Sequence, residues 1–149
     1  MAKLYFYFGS MNSSKTAQAL MVAHNYHERK QNVWLLKPVI DTRDGHDSII
    51  KSRCGISSKN VFLFDEKTNL VDAFFNHNAG IKISCIIVDE CQFLTKEQVF
   101  DLSGIVDGNY NIPVMCYGLR TNFKGELFEG SKWLMAYAEI GRASCRERV

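Results

Sequence analysis

No apolar run in the 149 residues is long enough to span a bilayer, so a membrane-crossing helix is excluded from the reading. The amino terminus carries no signal-peptide pattern: Met1-Ala2-Lys3 leads straight into a strand, and a cytoplasmic protein is expected. None of the five cysteines belongs to a Cys-x-x-Cys pair, which removes the usual zinc signature. Cys85, Cys91 and Cys116 have apolar neighbours and read as reduced, buried thiols. An excess of one charge is also missing. Lysines and arginines number 18 against 16 acids, a net charge of +2. Three of those arginines and one glutamate fall in residues 141–149, and the rest of the chain is balanced. Nothing there marks a nucleic-acid-binding surface. Internal repeats and low-complexity tracts are absent as well. What the chain does have is apolar mass, 46% hydrophobic residues, enough for one domain with its own core.

Leu4-Tyr5-Phe6-Tyr7-Phe8 is a short apolar strand, and it runs into Gly9-Ser10-Met11-Asn12-Ser13-Ser14-Lys15-Thr16. This is the phosphate-loop pattern G-x-x-x-x-G-K-[ST], except that Ser14 stands where the second glycine belongs. In such a loop, backbone N–H groups and the first turn of the next helix point at phosphate oxygens, and the helix dipole favours negative charge there. Lys15 would reach the β- and γ-phosphates of ATP, and the Thr16 hydroxyl would sit on Mg²⁺. The side chain of Ser14 adds bulk beside the phosphates, and weakened ATP binding is the worst effect expected of so small a residue. Ala17, Leu20 and Met21 then recur at helical spacing, with no proline or glycine before Arg29. A serine-rich turn capping an ordinary helix is the plainer alternative.

Strand and helix signals alternate from there. Val33-Trp34-Leu35-Leu36 reads as a buried strand and Val61-Phe62-Leu63-Phe64 as another. Between them, Asp41 to Ser58 is a polar loop, with room for a small hairpin. Leu70, Ala73, Phe74 and His77 mark a helix face, and Ile83 to Val88 a buried strand. Thr95-Lys96-Glu97-Gln98 is a capping box opening a helix whose inner face is Val99, Leu102, Ile105 and Val106. Pro113 to Tyr117 gives the last clear strand. The implied class is α/β: a P-loop NTPase-like parallel sheet flanked by helices, with ligands at the carboxyl ends of its strands.

The strand Ile83 to Val88 ends in Asp89-Glu90, where a phosphate-loop protein needs a carboxylate for Mg²⁺. Asp89 would hold the metal through water. Glu90 could take a proton from an attacking hydroxyl, or orient water in an ATPase. Two solvated acids at a strand end are the bland alternative. After the strand Pro113 to Tyr117, Phe123 and Phe128 join Phe93 and Met11 as candidates for an apolar slot against a flat base. For any single one of these aromatics, core packing is the commoner explanation. Arg120 and Lys124 either answer phosphate charge or are solvated. Asp41-Thr42-Arg43 lies on the ligand side and is weighed evenly between site and loop surface.

These strings together resemble the cytosolic, zinc-containing (type II) thymidine kinase family, from Met1 to about Ala138. The resemblance is carried by the loop Gly9 to Thr16, Asn25-Tyr26-His27-Glu28-Arg29, Asp41-Thr42-Arg43, Val88-Asp89-Glu90-Cys91-Gln92-Phe93-Leu94 and Cys116-Tyr117-Gly118-Leu119-Arg120-Thr121. It implies ATP-dependent phosphorylation of the thymidine 5′-hydroxyl, with Mg²⁺ accompanying ATP, in a homotetramer. It also implies roles. Glu90 is the catalytic base, Gly9 through Thr16 surround the phosphates, and Thr16 with Asp89 serves magnesium. Met11, Phe93, Leu119, Phe123 and Phe128 wall the thymine pocket, and Asp41 and Arg43 stand beside the reaction centre.

The family's zinc-binding cysteines, and the lasso that closes over thymidine, have no counterpart in this sequence. The expectation is therefore a kinase core over residues 1–138, shortened at its carboxyl end, without zinc ligands and with weak or no turnover. Residues 139–149 show no helical or strand period and are what a common sequencing-library adapter would encode, so a non-native tail is expected there; a real basic tail is the alternative. Three other readings stay open. One is a P-loop ATPase or nucleotide-binding module without nucleoside kinase activity. A second is a non-enzymatic interface piece exposing apolar surface around Trp133, Leu134 and Met135. The third keeps the kinase and changes the nucleoside to deoxyuridine or another pyrimidine.

Overall fold

The computed structural model describes residues 2–9, 15–39, 49–51, 57–59, 61–108, 110–122 and 124–142. Within them the chain runs β1 (Leu4–Phe8), α1 (Lys15–Glu28), β2 (Asn32–Pro38), β3 (Ile49–Lys51), β4 (Ser57–Lys59), β5 (Phe62–Phe64) and α2 (Leu70–His77). It continues through β6 (Ile83–Asp89), a single 3₁₀ turn (Cys91–Phe93), α3 (Lys96–Asp107), β7 (Val114–Gly118), α4 (Glu129–Tyr137) and β8 (Glu139–Arg142). Six strands form one sheet in the order β5-β2-β6-β7-β1-β8, and every neighbouring pair is parallel. This is the α/β class expected. β3 and β4 pair antiparallel as a separate ribbon, the hairpin for which the polar loop left room.

Side-chain alternation along the strands splits the core between the two faces of the sheet. Leu35, Cys85, Ile87, Met115 and Tyr117 pack under Ala19, Leu20 and Val22 of α1. Phe6, Trp34, Leu36, Ile86, Val88 and Cys116 point the other way, against Leu70 and Phe74 of α2, Val99 and Leu102 of α3, and Leu134 of α4. One helix covers the first face and three cover the second. Both faces being buried explains why β6 and β7 read as unbroken apolar runs. Trp34 anchors the second face near one edge, with the rings of Phe62 and Phe74 at 5.3 and 5.9 Å.

Local chemistry sets the helix ends where the sequence announces them. The Gln98 N–H donates to Thr95 Oγ1 at 3.2 Å, and the Thr95 N–H donates to Gln98 Oε1 at 3.0 Å, closing the capping box. The Gln98 amide then donates to the carbonyls of Asp65 and Thr68 at 2.7 and 3.0 Å, so the same residue ties the turn after β5 to α3.

Three readings change. Met21 is 57% exposed and falls off the buried stripe of α1, whose apolar members are Ala17, Ala19, Leu20 and Val22. Leu134 is fully buried, so it is not part of an exposed apolar surface; Trp133 is half-buried and Met135 exposed. Glu139–Arg142 form β8, paired in register with Tyr5 to Phe8, although no strand period is visible there. A four-residue edge strand held by backbone hydrogen bonds carries no pattern of its own. Residues 143–149 lie outside the described residues.

Truncating a filled core site should cost far more than trimming an exposed one. Leu134→Ala is expected to lower unfolding free energy by about 2–5 kcal/mol, and Met135→Ala to stay within about 0.5 kcal/mol, by urea titration. Equal effects would contradict the packing of α4.

Candidate functional site

The carboxyl ends of β1, β7 and β6 lie side by side, with β7 in the middle. Phe8 is opposite Gly118, and Tyr117 is opposite Asp89. The Gly9 N–H donates to the Gly118 carbonyl at 3.3 Å, which fastens the start of the phosphate loop to the end of β7. Lys15 and Thr16 open α1, and Lys15 is 6% exposed. Ser10, Met11, Asn12, Ser13 and Ser14 lie outside the described residues.

Thr16 and Asp89, 73 positions apart, meet across this end of the sheet. Thr16 Oγ1 is 3.2 and 3.3 Å from the two carboxylate oxygens of Asp89, itself nearly fully buried. A hydroxyl and a carboxylate are hard oxygen donors of the kind Mg²⁺ takes. Among the described residues no cluster of three or more His, Cys, Asp and Glu converges on a metal position. Mg²⁺ is commonly bound through one or two protein oxygens together with phosphate and water. The residues present fit the ion.

Glu90 follows at once, and its backbone is left-handed, φ 52° and ψ 45°. A non-glycine residue there carries strain of about 1–3 kcal/mol and persists only where its surroundings hold it. The surroundings are tight. Gln92, 3% exposed, donates from Nε2 to Glu90 Oε2 at 2.6 Å and accepts the Leu119 N–H on Oε1 at 3.1 Å. Ser131 Oγ donates to the Leu119 carbonyl from the first turns of α4. A Cβ on Gly118 would lie 2.5 Å from Gln92 Oε1 and 2.7 Å from Cys91 Sγ. A Cβ on Gly130 would lie 2.5 to 3.0 Å from the carbonyls of Cys91, Leu94 and Gln92. Both glycines are there for close approach. Cys91, fully buried, has its thiol pushed well up by burial and then by Cys116, Asp89 and Glu90, so it stays neutral and packs.

The aromatic candidates part company. Phe93, 38% exposed, meets Phe128 edge to face at 5.8 Å, and Leu119 is half-buried at the end of β7. Phe123, Asp41 and Arg43 lie outside the described residues. The Arg120 guanidinium sits 4.8 Å from the Phe8 ring centre, a cation–π contact at the mouth of β1. Asn122 Oδ1 accepts the N–H groups of Lys124 and Glu126 at 2.8 and 3.1 Å and shapes the turn between Leu119 and Phe128. A cleft of about 430 Å³ lined by Tyr26, Arg29, Lys82 and Tyr110 opens beside the starts of β6 and β7, at the opposite end of the strands.

A family model described as thymidine kinase matches residues 2–142. The thymidine kinase of Haemophilus influenzae is 49% identical over 139 residues, covering 93% of this chain and 70% of the relative. That of Mannheimia succiniciproducens is 49% identical with the same coverage, and that of Aliivibrio fischeri 45% identical, covering 71% of the relative. The chain belongs to the thymidine kinase family. It spans about 70% of the length of these relatives.

For a thymidine kinase-family chain, the part of the site that sequence reasoning missed is its support: Gln92, Gly118, Gly130, Ser131 and helix α4 itself. A signal for α4 was present in Glu129, an acid in its first turn, but no side chain caps it. Gly130 tests the support directly. Alanine is favoured over glycine inside a helix by about 1 kcal/mol, yet its methyl would press on three carbonyls. Gly130→Ala is therefore expected to destabilise by about 1–3 kcal/mol in denaturant unfolding. A stabilised variant would show that α4 does not seat on the Cys91–Phe93 turn.

Proposed function

We propose that the chain transfers the γ-phosphoryl group of ATP to the 5′-hydroxyl of thymidine, giving thymidine monophosphate and ADP. The observation that carries this reading is the approach of Thr16 Oγ1 to Asp89 at 3.2 Å, which joins the phosphate-loop helix to the acidic strand end with Glu90 next in the chain. In the reaction the thymidine 5′-oxygen bonds to the γ-phosphorus as the bond to the β,γ-bridging oxygen breaks, and Glu90 takes the hydroxyl proton. Lys15 offsets negative charge on the β- and γ-phosphates, helped by backbone N–H groups of Ser10, Met11, Asn12, Ser13 and Ser14, while the Gly9 N–H stays on the Gly118 carbonyl and anchors the start of the loop. Thr16 and Asp89 are the residues that would hold Mg²⁺, which would offset negative charge on the phosphates of ATP.

Phe93, 38% exposed beside Phe128, supports a flat base packing there, with Leu119, Met11 and Phe123 as further walls and Asp41 and Arg43 near the phosphoryl group. Free thiols at Cys85, Cys91 and Cys116 suit a cytoplasmic enzyme. Self-association into a homo-oligomer belongs to the same proposal, supported by the exposed rings of Phe100 and Tyr137, which meet at 5.1 Å on α3 and α4.

The test is thymidylate formation, however slow, by the purified chain with ATP and Mg²⁺. Glu90→Gln should lower kcat by about 10²–10⁴-fold with little change in the KM for ATP. ATP hydrolysis unaltered by thymidine, with no thymidylate formed, would overturn the reading in favour of an ATPase.

A further inference from the structure

We propose that Gln92 is the positioning residue of the site: its amide aims Glu90 and locks that aim to the Leu119 backbone. The inference rests on Glu90 being the proton acceptor, and goes beyond it by assigning what holds the acceptor in place.

Gln92 lies two residues beyond Glu90 in the 3₁₀ turn, 3% exposed, with both ends of its amide engaged. Nε2 donates to Glu90 Oε2 at 2.6 Å. Oε1 accepts the Leu119 N–H at 3.1 Å, on the segment leaving β7. An amide is the group this place needs, because it must donate to a carboxylate on one side and accept from a backbone N–H on the other. A carboxylate at the same place would supply only the acceptor, and a thioether neither bond. The amide can lie against β7 only because Gly118 has no side chain: a Cβ there would stand 2.5 Å from Gln92 Oε1. The turn cannot drift away from the sheet, since Gly130 brings α4 against the carbonyls of Cys91, Gln92 and Leu94. Glu90 itself sits in a strained left-handed conformation that local preference does not favour, so its orientation depends on such outside restraint. Leu119, at the other end of the amide, follows the β7 strand end and precedes the loop leading to Phe128. One side chain therefore sets the separation between the base and the wall of the nucleoside slot.

The experiment compares the full chain with its Gln92→Met, Gln92→Glu and Glu90→Ala variants. Thymidylate kinetics are read together with the ¹H,¹⁵N signal of the Gln92 side-chain amide and the melting temperature. Gln92→Met and Gln92→Glu are both expected to lower kcat by roughly tenfold or more, with KM for ATP and thymidine within about threefold of the parent. Gln92→Glu keeps the acceptor for Leu119 and loses the donor to Glu90, so parental kcat in that variant would overturn the positioning role and leave Gln92 a backbone tether. The Gln92 amide signal is expected downfield and slowly exchanging, and to lose both properties in Glu90→Ala whether or not the chain turns over. An unchanged signal would overturn the proposal. The two readings separate cleanly: an inactive Glu90→Ala beside a fully active Gln92→Glu removes only the role of Gln92, whereas a fully active Glu90→Ala removes both.

Discussion

Strand β6 ends by turning its chain through Glu90 in the left-handed region, and the phosphate end of the sheet is organised around that turn. Asp89, the last residue of the strand, still points into the protein and meets Thr16. One residue later the backbone swings, and Glu90 points out of the sheet toward the segment after β7. Two adjacent carboxylates would otherwise point to opposite faces of a strand. The left-handed residue lets one remain buried against Thr16 of α1 while the other meets Gln92 beside the segment after β7. The conformation costs about 1–3 kcal/mol and is held by close contacts made possible by two glycines.

Those contacts are contributed by parts of the chain far apart in sequence. Gly9 hydrogen bonds to Gly118, Gln92 to Leu119, and Ser131 to Leu119 from the other side. The end of β7 is thus the common neighbour of the phosphate loop, the acidic turn and α4. Its central place between β6 and β1 follows from the strand order, which puts the two halves of the site on either side of one strand.

The sheet and its ligand end were legible because they depend on patterns that survive in a one-dimensional string. Buried parallel strands give unbroken apolar runs, as in Ile83 to Val88, and a capping box such as Thr95 with Gln98 names a helix start. The placement of Lys15, Thr16, Asp89 and Glu90 at the carboxyl ends of β1 and β6 was legible because spacing to a strand end fixes where they fall. What escaped depends on proximity rather than pattern. Gly118 and Gly130 matter for the atoms opposite them, Gln92 for two partners on different elements, and β8 for backbone pairing to β1. Met21 recurs with Ala17 and Leu20 at helical spacing, yet it falls outside the stripe of Ala17, Ala19, Leu20 and Val22 that α1 buries.

The central claim is that Glu90 faces the nucleoside hydroxyl while Asp89 and Thr16 face the phosphates. A crystal structure of the chain with thymidine, Mg²⁺ and a non-hydrolysable ATP analogue tests it most directly. The account requires the thymidine 5′-oxygen at about 2.6–3.2 Å from a Glu90 carboxylate oxygen, with the γ-phosphate on the Lys15 and Thr16 side. A 5′-hydroxyl lying elsewhere, with only water between Glu90 and the γ-phosphate, would contradict it and leave an ATPase site in its place.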